Sequence, residues 1–192
     1  MPVISEFNNG IEGWKIQHFD GSIETPTFNS DGYIQSLDSV GGGLYFYQAP
    51  DRLLGDLSEF WQGYIGFDLA ADPVDAMSPA DIILGSDGVN LGLGLSFMPS
   101  SEWQSYKVKI DVNVGWRNLE TGAQATEQEI FSVLSEVKSL QIRGDWSSQS
   151  GTDASRLDNV FVSESVPEPG SALAILLFAS GYCIYSKWVS RW

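Results

Sequence analysis

The chain has 192 residues, 18% of them charged and 12% aromatic, with a formal net charge of −15. Residues 1–170 hold 8 Lys and Arg against 25 Asp and Glu, a net −17, which excludes a nucleic-acid partner because phosphates need clustered cations. The length suits one domain with an appendage, and the lone cysteine, Cys183, leaves residues 1–170 without a disulfide or a thiolate metal site.

In chain order, Met1-Pro2-Val3-Ile4-Ser5-Glu6 shows neither the basic region nor the apolar run of an export leader, so a start upstream of Met1 is expected. Period-two or continuous apolar runs then predict strands over Gly32–Leu37, Leu44–Gln48, Tyr64–Ala70, Ile82–Gly85, Leu91–Phe97, Tyr106–Val112, Leu140–Gly144 and Leu157–Val162. The alternation is clean in Tyr106-Lys107-Val108-Lys109-Ile110, with one apolar face and one lysine face. Turn signals separate the runs at Asp31-Gly32, Gly41-Gly42-Gly43, Asp87-Gly88 and Ser150-Gly151. One helix interrupts them. Thr126 and Glu129 have capping-box spacing, and Ile130, Val133, Leu134 and Val137 follow as a single apolar stripe. These elements predict an all-β, two-sheet antiparallel sandwich carrying one short packed helix.

Catalytic signals are sparse. His18 is the only histidine, so a Ser-His-Asp triad or a zinc hydrolase would rest on it alone; near a strand end it is expected at the surface. No Gly-x-Ser-x-Gly elbow or phosphate-cradling loop is present. The acids are numerous enough for a paired-carboxylate glycosidase, but no pair stands out. Aromatic rings that could stack on sugars are Tyr45, Tyr47, Trp61, Trp103, Trp116 and Trp146. Trp61 and Trp146 lie in polar, turn-rich surroundings and are the two expected to be exposed and ligand-binding.

The last residues read differently. From Ser171 to Ser186 there is no charge, and at about 1.5 Å per residue that run would span about 24 Å as a helix. Tyr182, Tyr185, Trp188 and Trp192 suit a lipid interface, and Lys187 and Arg191 place the C-terminus in the cytoplasm. Val166-Pro167-Glu168-Pro169 stands just before it. Motif, apolar segment and basic end together resemble the PEP-CTERM sorting signal, although two separated cations stand where that family usually has an arginine cluster. The resemblance implies export and recognition by an exosortase, a membrane transpeptidase-like enzyme.

Residues 5–163 resemble a second family. Gly32-Tyr33-Ile34, Tyr45-Phe46-Tyr47-Gln48-Ala49-Pro50, Phe67-Asp68-Leu69, Trp103, Trp116-Arg117, Leu140-Gln141-Ile142-Arg143-Gly144 and Leu157-Asp158-Asn159-Val160 occur in the order of the laminin B domain (laminin domain IV). Phe7 with Gly13-Trp14 would be its first strand, and Leu53-Leu54-Gly55-Asp56 the turn after Ala49-Pro50. The resemblance implies a jelly-roll-like sandwich, similar to carbohydrate-binding modules and associated with matrix architecture. Related sandwiches bind one calcium ion between the first strand, a following loop and an Asp near the last strand. The matching positions are Glu6, Asp31, Asp38 and Asp158.

The resulting expectation is a laminin-B-like domain over 1–163, a linker with the Pro-Glu-Pro motif over 164–170, and a transmembrane helix with a short tail over 171–192. Functionally it is an exported, noncatalytic adhesive protein that binds extracellular polysaccharide or matrix. The alternatives are a polysaccharide-acting enzyme on the same scaffold and a structural surface component without a specific ligand.

Overall fold

The computed structural model describes residues 3–37, 44–72, 74, 80–147 and 154–165. Asp38, the motif Val166-Pro167-Glu168-Pro169 and the apolar segment from Ser171 lie outside these described residues. Among the described residues no helix is long and apolar enough to cross a membrane.

Two antiparallel sheets face one another. The first, six-stranded, runs β10 (Gln104–Lys109), β7 (Tyr64–Asp72), β13 (Ala154–Ser163), β5 (Tyr33–Leu37), β4 (Thr27–Asn29), with β1 (Val3–Ser5) also paired to β13. The second, seven-stranded, runs β11 (Arg117–Asn118), β9 (Val89–Leu93), β8 (Ile82–Ser86), β12 (Ser139–Arg143), β6 (Tyr45–Gln48), β2 (Lys15–His18), β3 (Ile23–Glu24). Period-two alternation turns one face of each sheet inward. Leu157, Val160 and Val162 of β13 meet Tyr45 and Tyr47 of β6 and Leu140 and Ile142 of β12 in one buried core.

Polar bonds tie the sheets across that core. The Tyr47 hydroxyl donates to the Ser155 carbonyl (2.7 Å) and accepts the Ser36 backbone N–H (3.0 Å), while the Tyr45 hydroxyl shares a 2.9 Å hydrogen bond with Ser155 Oγ. The Trp14 indole N–H donates to Ser5 Oγ at 2.9 Å, holding the loop after β1 against the interior. All are buried, so each bond satisfies a group that would otherwise be orphaned in an apolar medium.

The helix α1 (Glu127–Ser135) starts at the expected capping box: Thr126 Oγ1 accepts from the Glu129 backbone N–H, and the Glu129 carboxylate accepts from the Thr126 backbone N–H. Ile130, Val133 and Leu134 bury its inner side against β8 and β9. Val137 is buried too but has left the helix, pairing with Gly55 as an isolated bridge. The expected first strand is corrected. Phe7 takes a left-handed φ of 47° and Trp14 closes a turn onto the Ile11 carbonyl, so both fill the core from the connection between β1 and β2. Left-handed backbone cannot continue a strand ladder.

Candidate functional site on the outer sheet face

The outer face of the first sheet holds the described residues best placed to touch a ligand. In β13, Ser155 and Leu157 point inward and are buried, which turns Arg156 and Asp158 outward. Arg156 is in register with Ala70 on one side and Gln35 on the other, and Trp103 lies one residue before the Gln104–Leu69 pair. Trp103, 41% exposed, therefore sits on the same outward row. The Tyr33 ring meets it edge-on at 5.4 Å and 72°, and the Arg156 guanidinium lies over the indole at 5.2 Å. Arg156 is itself anchored by donating to the Ser101 carbonyl at 2.5 Å. Edge-on aromatic packing and a stacked cation are both attractive and leave the indole few orientations.

The neighbouring outward row is acidic. Asp158 is directly opposite Asp68 across β13 and β7. Just beyond, β13 bulges and Asn159 takes a φ of 50°. Its side-chain amide donates to Asp68 Oδ2 (2.7 Å) and Asp158 Oδ2 (3.3 Å), and its backbone N–H donates to Asp158 Oδ1 (2.7 Å). On the opposite edge of β13, β5 pairs through Leu157 and β1 pairs from Val160 onward, so among the described residues Asp158 and Asn159 have no strand partner there. That break is a notch in the sheet. Burial pushes the Asp158 carboxyl above the ordinary Asp value; the Asn159 N–H opposes this, and the charges of Asp68, Glu6 and Glu12 add to it.

The calcium candidates divide accordingly. Glu6 directly follows Ser5, the β1 partner of Val160, so it falls at the same break in the β13 edge as Asp158, and its charge helps raise the Asp158 carboxyl. Asp31 is in the β4–β5 turn, its N–H donating to Asn29 Oδ1, and Asp38 is outside the described residues. No group of three His, Cys, Asp or Glu side chains able to hold a metal forms among the described residues. Asn159 donors already occupy both Asp158 oxygens. Among the described residues Glu6, Asp31 and Asp158 do not gather into one such group.

Two exposure expectations are overturned. Trp146 is 1% exposed: its ring stacks on the Arg143 guanidinium at 4.4 Å and its indole N–H donates to the Arg143 carbonyl. Arg143 pairs with buried Asp81 at 3.2 Å, so the polar neighbours of Trp146 are themselves interior. His18 is 2% exposed, against the Tyr45 ring, with a Glu24 carboxylate oxygen 3.5 Å from Nε2 and neither ring nitrogen hydrogen-bonded. No triad surrounds it among the described residues. Trp61 is half-buried and lines a shallow depression of about 470 Å³ with Glu127, Gln128 and Phe131, on the helix side of the molecule.

A profile of the Laminin B (Domain IV) family matches residues 46–175. The chain belongs to the laminin B (domain IV) family. It is 24% identical over 155 residues to the laminin subunit gamma-1 of Xenopus tropicalis, a match covering 77% of this chain and 9% of that protein. The chain therefore spans only a small part of that relative. The L4b domain of human laminin alpha-2 superposes with a TM-score of 0.67 at 10% identity, covering 86% of this chain and 99% of that one. An exo-beta-agarase structure superposes with a TM-score of 0.53 at 12% identity, over 85% of this chain and 25% of the agarase chain. At these identities the superpositions establish a shared two-sheet sandwich and nothing about ligands.

Trp103 belongs to the aromatic pool of the sequence but is not one of the two rings expected to bind, and Tyr33, Arg156, Asp68 and Asn159 are not singled out there as ligand-binding. A signal for Trp103 is present. Carrying the alternation of Tyr106–Ile110 back to residue 103 puts the indole on the lysine face, which is the solvent face. Nothing local in the sequence pairs it with Tyr33, which lies far off in the chain and arrives through the sheet order.

Proposed function

We propose that this chain is an exported, noncatalytic adhesive protein whose laminin B domain binds carbohydrate through the Trp103 face. The observation that carries the reading is an exposed indole, fixed edge-on by Tyr33 and stacked by Arg156, beside a row of hydrogen-bonding side chains on an outer sheet face. A rigid ring gives a sugar an apolar surface without an ordering cost, and the adjacent carboxylates and amide supply directional bonds to hydroxyls. The matrix association of the family supports an extracellular setting. The Val166-Pro167-Glu168-Pro169 motif and apolar segment support delivery to the cell envelope by an exosortase, with the segment serving as a membrane anchor until it is cut.

The test is a glycan array probed with the full-length chain. Trp103→Ala is expected to abolish most of the signal and Trp61→Ala to preserve it. Loss with Trp61→Ala alone would move the site to the depression beside Phe131. Incubating each bound polymer with the protein and following its chain length should show no depolymerisation; shortening would establish the enzymatic alternative.

A further inference from the structure

The composition of the Trp103 face narrows its ligand beyond carbohydrate in general. Rows of outward side chains on a strand recur every second residue, about 6–7 Å apart. The Arg156 row with Trp103 and the Asp158 row with Asp68 and Asn159 are separated by one such step, close to the length of a pyranose residue. Stacking and hydroxyl recognition can thus act on the same sugar or on consecutive sugars of one chain. Arg156 does not offer a free cation here, because its guanidinium is committed to the indole face and the Ser101 carbonyl. Arg52, near the notch, is committed likewise to the Glu12 carboxylate and Ser5 Oγ.

Acids gather at the notch, and the lysines of the same outward face are engaged elsewhere, Lys107 over the Tyr64 ring at 4.1 Å and Lys109 with Asp111 at 3.1 Å. Asp158 responds to the charges of Asp68, Glu6 and Glu12, so carboxylates gather around the notch within a chain whose first 170 residues carry a net −17. A polyanionic glycan would bring further like charge onto these groups, a penalty that water-exposed neutral hydroxyls do not incur. The carboxylate oxygens of Asp68 and Asp158 keep a second lone pair for hydroxyl hydrogens, and the Asn159 amide, whose NH₂ group is spent on these two carboxylates, adds its carbonyl oxygen as a further acceptor.

Resting on the carbohydrate reading above, we propose that the face takes a neutral, hydroxyl-rich polysaccharide. Trp103 stacks on the C–H face of one pyranose ring, and the Asp68–Asn159–Asp158 row hydrogen-bonds hydroxyls one step along the chain. Arg156 and Tyr33 are positioning residues that hold the indole.

The experiment is affinity electrophoresis of the full-length chain, in one mild detergent throughout, through gels containing hydroxyethyl cellulose, laminarin or galactomannan as neutral probes. Polygalacturonate and alginate serve as anionic probes. At least one neutral polymer should retard the protein, and retardation should change less than about twofold between about 20 and 500 mM salt, as expected when no ionic contact is screened. Trp103→Ala should weaken it about thirtyfold, the loss typical of a central aromatic contact, while Trp103→Phe should restore most of it. Asp158→Asn should change affinity severalfold without making binding salt-dependent. Thermal melts of each variant confirm that the fold is kept. Trp103-dependent retardation by the anionic polymers alone would overturn the neutral class and leave the sheet-face reading standing. Retardation of none of the probes, or retardation indifferent to both Trp103 variants, would overturn both.

Discussion

Asp158 is held at a cost, and replacing it by Asn should stabilise the protein at neutral pH. The carboxyl is raised above the ordinary value of 3.8 by burial and by Asp68, Glu6 and Glu12. A raised carboxyl favours the folded state when protonated. Its contribution is fully present below pH 3.8 and is lost as pH rises through the folded value. Asp20, Asp56, Asp111 and Glu129 behave oppositely: hydrogen bonds lower them, so their stability is present at neutral pH and lost on acidification. The difference between variant and parent isolates Asp158, because the other carboxylates are common to both. Like charges directly opposite on a sheet cost about 0.2–1 kcal/mol, and water around the half-exposed pair keeps the effect in that range. The carboxamide oxygen introduced by the substitution can still accept the Asn159 backbone N–H, and its NH₂ group gives up only the long 3.3 Å contact from the Asn159 amide. Asp158→Asn should therefore melt about 1–4 °C above the parent at pH 7, with the gap closing near pH 3.8. Circular-dichroism melts across that range measure it. A variant less stable than the parent at pH 7, or a gap independent of pH, would refute the reasoning.

Three further outcomes are expected. Tyr47→Phe should cost about 2 kcal/mol and lower the melting temperature by about 4–8 °C, because the Ser36 N–H loses the hydroxyl that satisfies it between the sheets; an unchanged melt would mean that the bond is not formed. The full-length chain should fractionate with membranes and a version ending at Val166 should not, since the uncharged run from Ser171 can satisfy its backbone as a helix within lipid. In a host with the matching exosortase, intact mass should show loss of the chain from about Ser171; recovery of the uncut chain there would leave a plain anchor.

The sandwich is legible in the sequence because alternation survives in the long strands: β7, β12 and β13 fall on the runs Tyr64–Ala70, Leu140–Gly144 and Leu157–Val162. The short strands β1, β3 and β4 are two or three residues long and carry too few periods to be seen. The misplaced exposures of His18 and Trp146 have different causes. Trp14, Ile16 and His18 have the same parity and are all buried, so His18 continues the inward alternation of β2. Around Trp146 both parities are buried, Arg143, Asp145 and Ser147 included, so its polar neighbours mark an interior polar cluster and not a solvent-facing turn. The notch has no sequence signal at all. It arises because β1 and β5, from separate parts of the chain, meet the same edge of β13 on either side of its bulge.

The same outer face contains a contact whose logic can be tested by coupling. Gly66 lies in register with Phe161 of β13 and Lys107 of β10, and its side is the one facing solvent. A Cβ added there would fall 2.1 Å from Phe161 Cζ and 2.3 Å from Cε1, so the phenyl ring lies against the bare glycine backbone. Gly66→Ala must push the ring away, at about 1–3 kcal/mol for an overpacked contact. With Phe161→Ala the obstruction is gone, and the same alanine should be neutral or stabilising by about 0.5–1 kcal/mol, because glycine is a poor strand residue. The two substitutions should then be coupled by more than about 1 kcal/mol, well beyond the ~0.3–0.5 kcal/mol expected of independent sites. Urea denaturation of the four proteins gives the coupling directly. Additive energies would mean that Phe161 swings aside without loss, and that glycine at position 66 serves the strand rather than the ring above it.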